Sequence, residues 1–279
     1  MSGNKQFLLL AFALIILTGC SKKTDTLVII ETPFGEMKAV LYDDTPLHKA
    51  NFLKLVEEGK LDSVLFHRVI KNFMIQGGNT ATGSWGEAVD YQIDPEFLIE
   101  KYVHEKGALA AARQPDGVNP KKRSSGSQFY IVQGEKYDDD GLQVRAERRE
   151  FLKLNGFFDR LRRLDRYTEL NEKYNYHVEK AQEDSTYDFG TALNTLVYSS
   201  KEFIDKEFGV QTDPGFTSFQ RARYAAVGGT PHLDGEYTVF GRVVEGLDVI
   251  DKIAAQETGY GDKPVKEIRM FVSLEEVDR

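Results

Sequence analysis

Apolar and polar positions alternate over short stretches along most of the chain. Residues 26–31 and 36–42 read as two strands around Thr32-Pro33-Phe34-Gly35, a turn signal. Residues 46–57 place Ala50, Phe52, Leu53, Leu55 and Val56 at helical spacing, and Gly59 follows as a stop. Further strands are predicted over 64–70, 73–76, 108–112, 128–132, 237–244 and 265–272, and a second helix over 247–253. Residues 79–95 are loop-like, rich in Gly, Ser and Thr. Short strands with turns between them, and only two helices, predict an antiparallel barrel or sandwich.

Residues 135–224 break that rhythm. Phe151, Leu154, Phe158, Leu161 and Leu164 keep a helical period, and Leu193, Leu196, Val197, Phe203 and Ile204 repeat it. Between them lies an acidic, tyrosine-bearing stretch of weaker predicted order. The block reads as a helical insertion (135–224) in a β domain made of 27–134 and 225–279. Residues 145–166 hold eight basic and four acidic residues, and 167–187 hold two basic and five acidic. One reading is a solvated helix pair whose charges compensate. The other is a client-binding arm or a face for anionic lipid, which exposure of Phe157 and Phe158 would favour.

Composition narrows the field. With 279 residues, 41% hydrophobic and 29% charged, the chain can bury a core and is not wholly disordered. A formal charge of -8 disfavours a nucleic-acid binder, which needs a basic footprint. A single cysteine excludes an intramolecular disulfide and a cysteine zinc cage. The one membrane-grade stretch runs from Phe7 to Leu17 after Lys5. It reaches roughly 16 Å as a helix, about half a bilayer core, which suits a signal segment better than a span. A multi-span membrane protein is excluded.

That run ends in Leu17-Thr18-Gly19-Cys20, which resembles the lipobox of bacterial lipoproteins. The resemblance implies a signal peptide over 1–19, acylation of Cys20 and a polar tether over 20–26. Two or more acyl chains would hold the protein at a membrane, since each buried methylene contributes about 0.8 kcal/mol. The expected location is the cell envelope outside the cytoplasm, with the choice of membrane open.

Three further blocks carry chemistry. Phe66-His67-Arg68-Val69-Ile70 with Phe73-Met74-Ile75-Gln76-Gly77-Gly78 resembles the signature of cyclophilin-type peptidyl-prolyl isomerases. Gly126-Ser127-Gln128-Phe129-Tyr130-Ile131 resembles that family's second block, and Leu233-Asp234-Gly235 with Val239-Phe240-Gly241 its third. The resemblance covers 27–134 and 225–276. It implies a mainly β fold, an eight-stranded antiparallel closed barrel capped by two helices. It also implies substrates that are unfolded or folding polypeptides with X–Pro bonds.

The residue types suit that reaction. Peptide rotation must cross about 18–20 kcal/mol of lost resonance, and no covalent step is needed. A catalyst need only bind the twisted amide better than the planar one. Twisting localises a lone pair on the proline nitrogen, and a guanidinium aimed there favours the twisted form. By resemblance Arg68 is that catalytic group. Phe73, Met74, Leu233 and Tyr237 match the walls of the proline pocket, Gln76 binds substrate backbone, and Gln128 and Tyr130 face the groove. Ala112 and Arg113 complete the substrate set, with His67 and His232 beside it. Alone, Phe73, Met74 and Leu233 fit a core, Arg68 fits a surface ion pair, and His67 fits a structural role. Their joint spacing points to a site.

The sequence departs from the family pattern at a few positions. Leu61 stands in place of an aromatic, and Arg113 where eukaryotic members carry an asparagine. Tyr130 replaces phenylalanine. His232 and Tyr237 stand where cyclosporin-sensitive members carry tryptophan and histidine. The five histidines show no paired ligand spacing, so no metal is expected. No phosphate-cradling glycine loop precedes a helix, and no cofactor is expected. The predicted state is a monomer. A non-catalytic chaperone or binding module using the groove and the insertion is the competing reading.

Overall fold

In the computed structural model, residues 24–210 and 215–278 are described. The predicted signal segment, Cys20 and the start of the tether lie outside them. Ten strand segments form one sheet. They are β1 (Thr24–Thr32), β2 (Gly35–Leu41), β3 (Val64–Leu65), β4 (Arg68–Ile70), β5 (Met74–Gly77), β6 (Gln92–Ile93), β7 (Ala108–Arg113), β8 (Ser124–Val132), β9 (Val239–Glu245) and β10 (Arg269–Asp278). All pairings are antiparallel, in the order β3-β10-β1-β2-β9-β7-β8-β5-β4, with β6 paired to β8.

The sheet curls until its two ends meet in one piece of chain. Phe66 N donates to Ile268 O at 2.9 Å on one side, and His67 N donates to Gln76 O at 3.0 Å on the other. Residues 64–70 therefore serve both edges. The nine-strand path becomes the expected eight once β3 and β4 are joined. The closure differs from a fully laddered cylinder: no ladder runs between β3 and β4, and the shape is a curled half-barrel with helices.

Strand β10 starts later than the predicted 265 and runs on past 272 to Asp278. Its continuation, Ser273-Leu274-Glu275-Glu276, carries little apolar signal, yet it pairs in register with β1. A partner strand supplied the backbone bonds that local polarity argued against.

Two helices close the inner side of the sheet. They are α1 (Pro46–Glu57), with Pro46 in its first turn, and α7 (Leu247–Ala254). Phe52, Leu55 and Val56 from α1, with Val249, Ile250 and Ile253 from α7, join Ile30, Leu109, Phe129 and Ile131 in one buried cluster. Each such side chain contributes roughly 1.5–3 kcal/mol on burial.

His48 in α1 bonds Glu96 Oε2 through Nδ1 at 2.6 Å and Ser124 Oγ through Nε2 at 2.9 Å. The spacing is that of a nucleophile, base and acid. Both His48 and Ser124 are only 2% exposed, so no substrate reaches them. Glu96 also accepts from the Leu47 and His48 amides. The cluster thus fastens the start of α1 to β8. Burial holds the His48 imidazole below its ordinary pKa, against the pull of Glu96.

Between β8 and β9 lie five helices. They are α2 (Asp139–Leu161), α3 (Thr168–Glu183), α4 (Phe189–Ser199), α5 (Lys201–Phe208) and α6 (Ser218–Ala226). Leu154, Phe158 and Leu161 of α2, Leu196 and Val197 of α4 and Ile204 of α5 make a separate core. Phe158 is fully buried there and Phe157 packs against Phe208, so this pair is not the exposed surface that an interaction arm would need. The stretch of weaker predicted order is the 16-residue helix α3. Leu170 and Tyr174 anchor it to that core, and the Arg162 guanidinium lies 4.1 Å from the Tyr174 ring centroid. Two apolar anchors in a polar helix are too faint a period for sequence alone. Among the described residues no helix is long and apolar enough to cross a membrane.

Candidate active site

Strand alternation creates the site. On β7, Leu109 and Ala111 face the inner core, while Ala108, Ala110 and Ala112 face outward. On β8, Phe129 and Ile131 face inward, while Tyr130 and Val132 face outward. The three outward alanines leave room that larger residues would fill. Met74, Tyr130, Leu233 and Val239, with Phe73 and Tyr237 packed beside them, form the second cluster around that room.

Register then lines up the polar groups. Arg68 on β4 sits opposite Gln76 on β5, Gln76 opposite Tyr130 on β8, and Tyr130 opposite Ala110 on β7. Directly paired residues share a face. A cavity of about 160 Å³ opens there, lined by Arg68, Phe73, Met74, Gln76, Ala112, Arg113, Tyr130, Leu233 and Tyr237. A cation and an amide thus converge on a small apolar slot. A larger hollow of about 750 Å³ lies between α2 and α4, where Arg148 is accompanied by the carboxylates of Glu147 and Glu150 and no strand contributes a side chain.

Arg68 Nε donates to Asp262 Oδ2 at 3.2 Å. Both side chains are partly exposed, so the pair orients more than it stabilises. Asp262 lies 194 positions away, in the turn Tyr260–Asp262, and sequence reasoning missed it. Gln76 Nε2 donates to Gln128 Oε1 at 3.3 Å, which places Gln128 beside the cavity rather than in its wall. A residue with Cβ at Gly78 would strike the Ser127 carbonyl, and its φ of +82° lets the chain leave β5 at that point.

Arg113 lines the slot, but its donors are engaged. Nε donates to Glu236 O at 2.7 Å, Nη1 to Gln114 O at 3.0 Å and Asp116 at 2.5 Å, and Nη2 to Glu236 at 3.0 Å. Its guanidinium covers the Tyr237 ring at 4.7 Å. Arg113 braces the Tyr237 wall. His232 is exposed and stacks on Phe73 with ring centroids 5.5 Å apart. His67 is half-buried outside the cavity, and desolvation lowers its pKa. Tyr130 carries a buried hydroxyl without a partner, and burial drives its pKa up.

The second residue that sequence reasoning missed is Asp234. It reads as half of a turn dipeptide, Asp234-Gly235, yet its carboxylate is wholly buried. No grouping of histidine, cysteine or carboxylates able to hold a metal occurs among the described residues.

Comparison with known proteins places this geometry. Residues 27–178 and 199–273 match the family model described as cyclophilin type peptidyl-prolyl cis-trans isomerase/CLD. A Streptococcus pyogenes serotype M6 protein, named as a candidate bifunctional phosphatase/peptidyl-prolyl cis-trans isomerase, is 32% identical over 86% of this chain. The chain spans only 37% of that relative's length. A Staphylococcus epidermidis protein, named as a candidate peptidyl-prolyl cis-trans isomerase, is 28% identical over 86% of this chain and 87% of its own. The crystal structure of a Cryptosporidium parvum cyclophilin type peptidyl-prolyl cis-trans isomerase shares the fold. Its TM-score is 0.51 at 19% identity, over 92% of this chain and 99% of that one. With the family match covering most of its length, the chain belongs to the cyclophilin-type peptidyl-prolyl cis-trans isomerase family.

Proposed function

We propose that this protein catalyses cis–trans rotation about X–Pro bonds in polypeptides folding outside the cytoplasm, as a monomer held to a membrane by lipid on Cys20. The observation that carries the catalytic part is a fixed guanidinium on the rim of an apolar slot of about 160 Å³. The slot takes the proline ring and holds it by burial alone. Gln76, steadied by Gln128, holds substrate backbone beside it. The residue before proline stays outside, where its carbonyl is free to swing.

As the amide twists, the proline nitrogen gains a localised lone pair. Arg68 donates to that nitrogen from Nη while Asp262 holds its Nε. The donor is in place before the reaction, so little reorganisation opposes the twist. No bond is made or broken, and no proton changes owner.

The test is Arg68→Ala in the soluble form starting after Cys20, assayed by protease-coupled isomerisation of an X–Pro tetrapeptide. Loss of one preorganised donor lowers the rate by about 10²–10³-fold. A full rate in that variant removes Arg68 from its role. Tight binding of the peptide by the wild type with no acceleration would favour the binding-module reading.

The location rests on the run from Phe7 to Leu17 followed by Leu17-Thr18-Gly19-Cys20. Cys20→Ser is expected to abolish incorporation of labelled fatty acid and release the protein from membranes. Unchanged membrane retention would sink the anchor.

A further inference from the structure

We propose that α6 belongs to the scaffold of the active site: Tyr224 and Gln220 are positioning residues that hold Asp234, and through it the Leu233 and Tyr237 wall of the slot. This rests on the isomerase reading of the slot.

The Asp234 carboxylate receives four donors. Oδ1 accepts from His104 N at 2.9 Å and His104 Nδ1 at 3.0 Å, and Oδ2 accepts from Gln220 Nε2 at 2.9 Å and Tyr224 OH at 2.6 Å. A carboxylate removed from water is costly unless its oxygens are satisfied. Half of that satisfaction comes from α6. Leu233 precedes the carboxylate and Tyr237 follows it by three residues, so the clamp fixes the short loop that forms one wall.

The clamp also reaches the slot by ring packing. The His104 ring stacks on Tyr130 at 6.1 Å and meets Tyr237 edge-on at 6.4 Å, and Tyr130 and Tyr237 pack edge-on at 5.8 Å. All three rings belong to the site or its backing. On its far side Tyr224 is fully buried with Leu142 and Ala146 of α2. Gln220 is fixed by a second bond, because its Oε1 accepts from Thr217 N at 2.9 Å in the capping box of α6. Gly229 allows the approach: a Cβ there would strike the His104 carbonyl and would lie only 2.6 Å from the Tyr224 ring. The helical block is therefore not a detachable arm. Its last helix completes the pocket wall.

The test uses the chain from residue 21 onward with Tyr224→Phe, which keeps the ring, and separately Gln220→Leu. Each removes one bond to a buried charge and is expected to lower kcat/KM for an X–Pro tetrapeptide about tenfold, mainly through KM. The Leu233 methyl and Tyr237 ring resonances are expected to shift in both. Phe158→Leu, in the separate helical core, should weaken the block and leave kcat/KM within about twofold. Unchanged kcat/KM and unmoved resonances in both clamp variants would overturn the proposal, as would an equal rate loss in Phe158→Leu. An inactive wild type whose Leu233 and Tyr237 signals still move in Tyr224→Phe would sink the isomerase reading and leave the clamp standing.

Discussion

In the barrel, residues far apart in sequence are locked side by side by backbone ladders around a single large core; in the helical block, a smaller core joins helices that follow one another along the chain. Phe129 sits in the first and Phe158 in the second, each nearly or fully buried. Arg68, Gln76 and Tyr130, the groups proposed to act on substrate, lie on the ladders, where register sets which side chains meet. The helical block meets the backing of the site through the hydrogen bonds of Gln220 and Tyr224 to Asp234. A rigid surface for a reaction that demands only positioning is thus drawn from strands, with one helix as a brace.

The most disruptive way to probe that contrast is Phe129→Ala, expected to cost about 3–5 kcal/mol of global stability and to abolish activity with it. The matched change Phe158→Ala removes a similar volume, but its loss should be confined to the helices. Hydrogen exchange checks this: amides of β5 and β8 should stay protected in Phe158→Ala and open in Phe129→Ala. If both variants open the whole molecule together, the two cores are one cooperative unit.

A smaller effect is expected at Asp262. Asp262→Ala frees Arg68 Nε and should lower kcat/KM about five- to tenfold while leaving the melting temperature unchanged, as befits an exposed pair. Asp262→Asn should recover part of the rate, because its carbonyl still accepts. A rate equal to wild type in Asp262→Ala would mean that the strand alone aims Arg68.

The smallest expected effect is on pH dependence, and it belongs to the barrel. Burial lowers the pKa of His48, and likewise that of His67, from 6.5. The unfolded chain then binds protons that the folded chain refuses. Stability is complete above 6.5 and falls as pH drops through that value toward the folded pKa values. Denaturant midpoints at pH 7.5 and 5 check the direction, and His48→Gln should flatten part of the slope. A midpoint that rises on acidification would show that Glu96 outweighs desolvation at His48.

Much of the barrel was legible because its signals are local. Helix α1 matches the predicted residues 46–57 throughout, since Pro46, the apolar spacing and Gly59 mark both ends. Helix α3 was not legible, because Leu170 and Tyr174 matter only when a core waits for them. Residues 64–70 read as one strand, and only the closed sheet shows that they serve two edges.

Sequence by itself determined the family blocks, the alternation that separates core from groove, and the apolar run before Cys20. Those depend on residue type and short spacing, which a chain carries before it folds. Tertiary structure alone decided three partnerships: Arg68 with Asp262, the spent donors of Arg113, and Asp234 with Gln220, Tyr224 and His104. Each joins groups that are distant in sequence or hidden in a turn signal. What a charged side chain does depends on which partners folding brings within hydrogen-bond reach and how much water it removes.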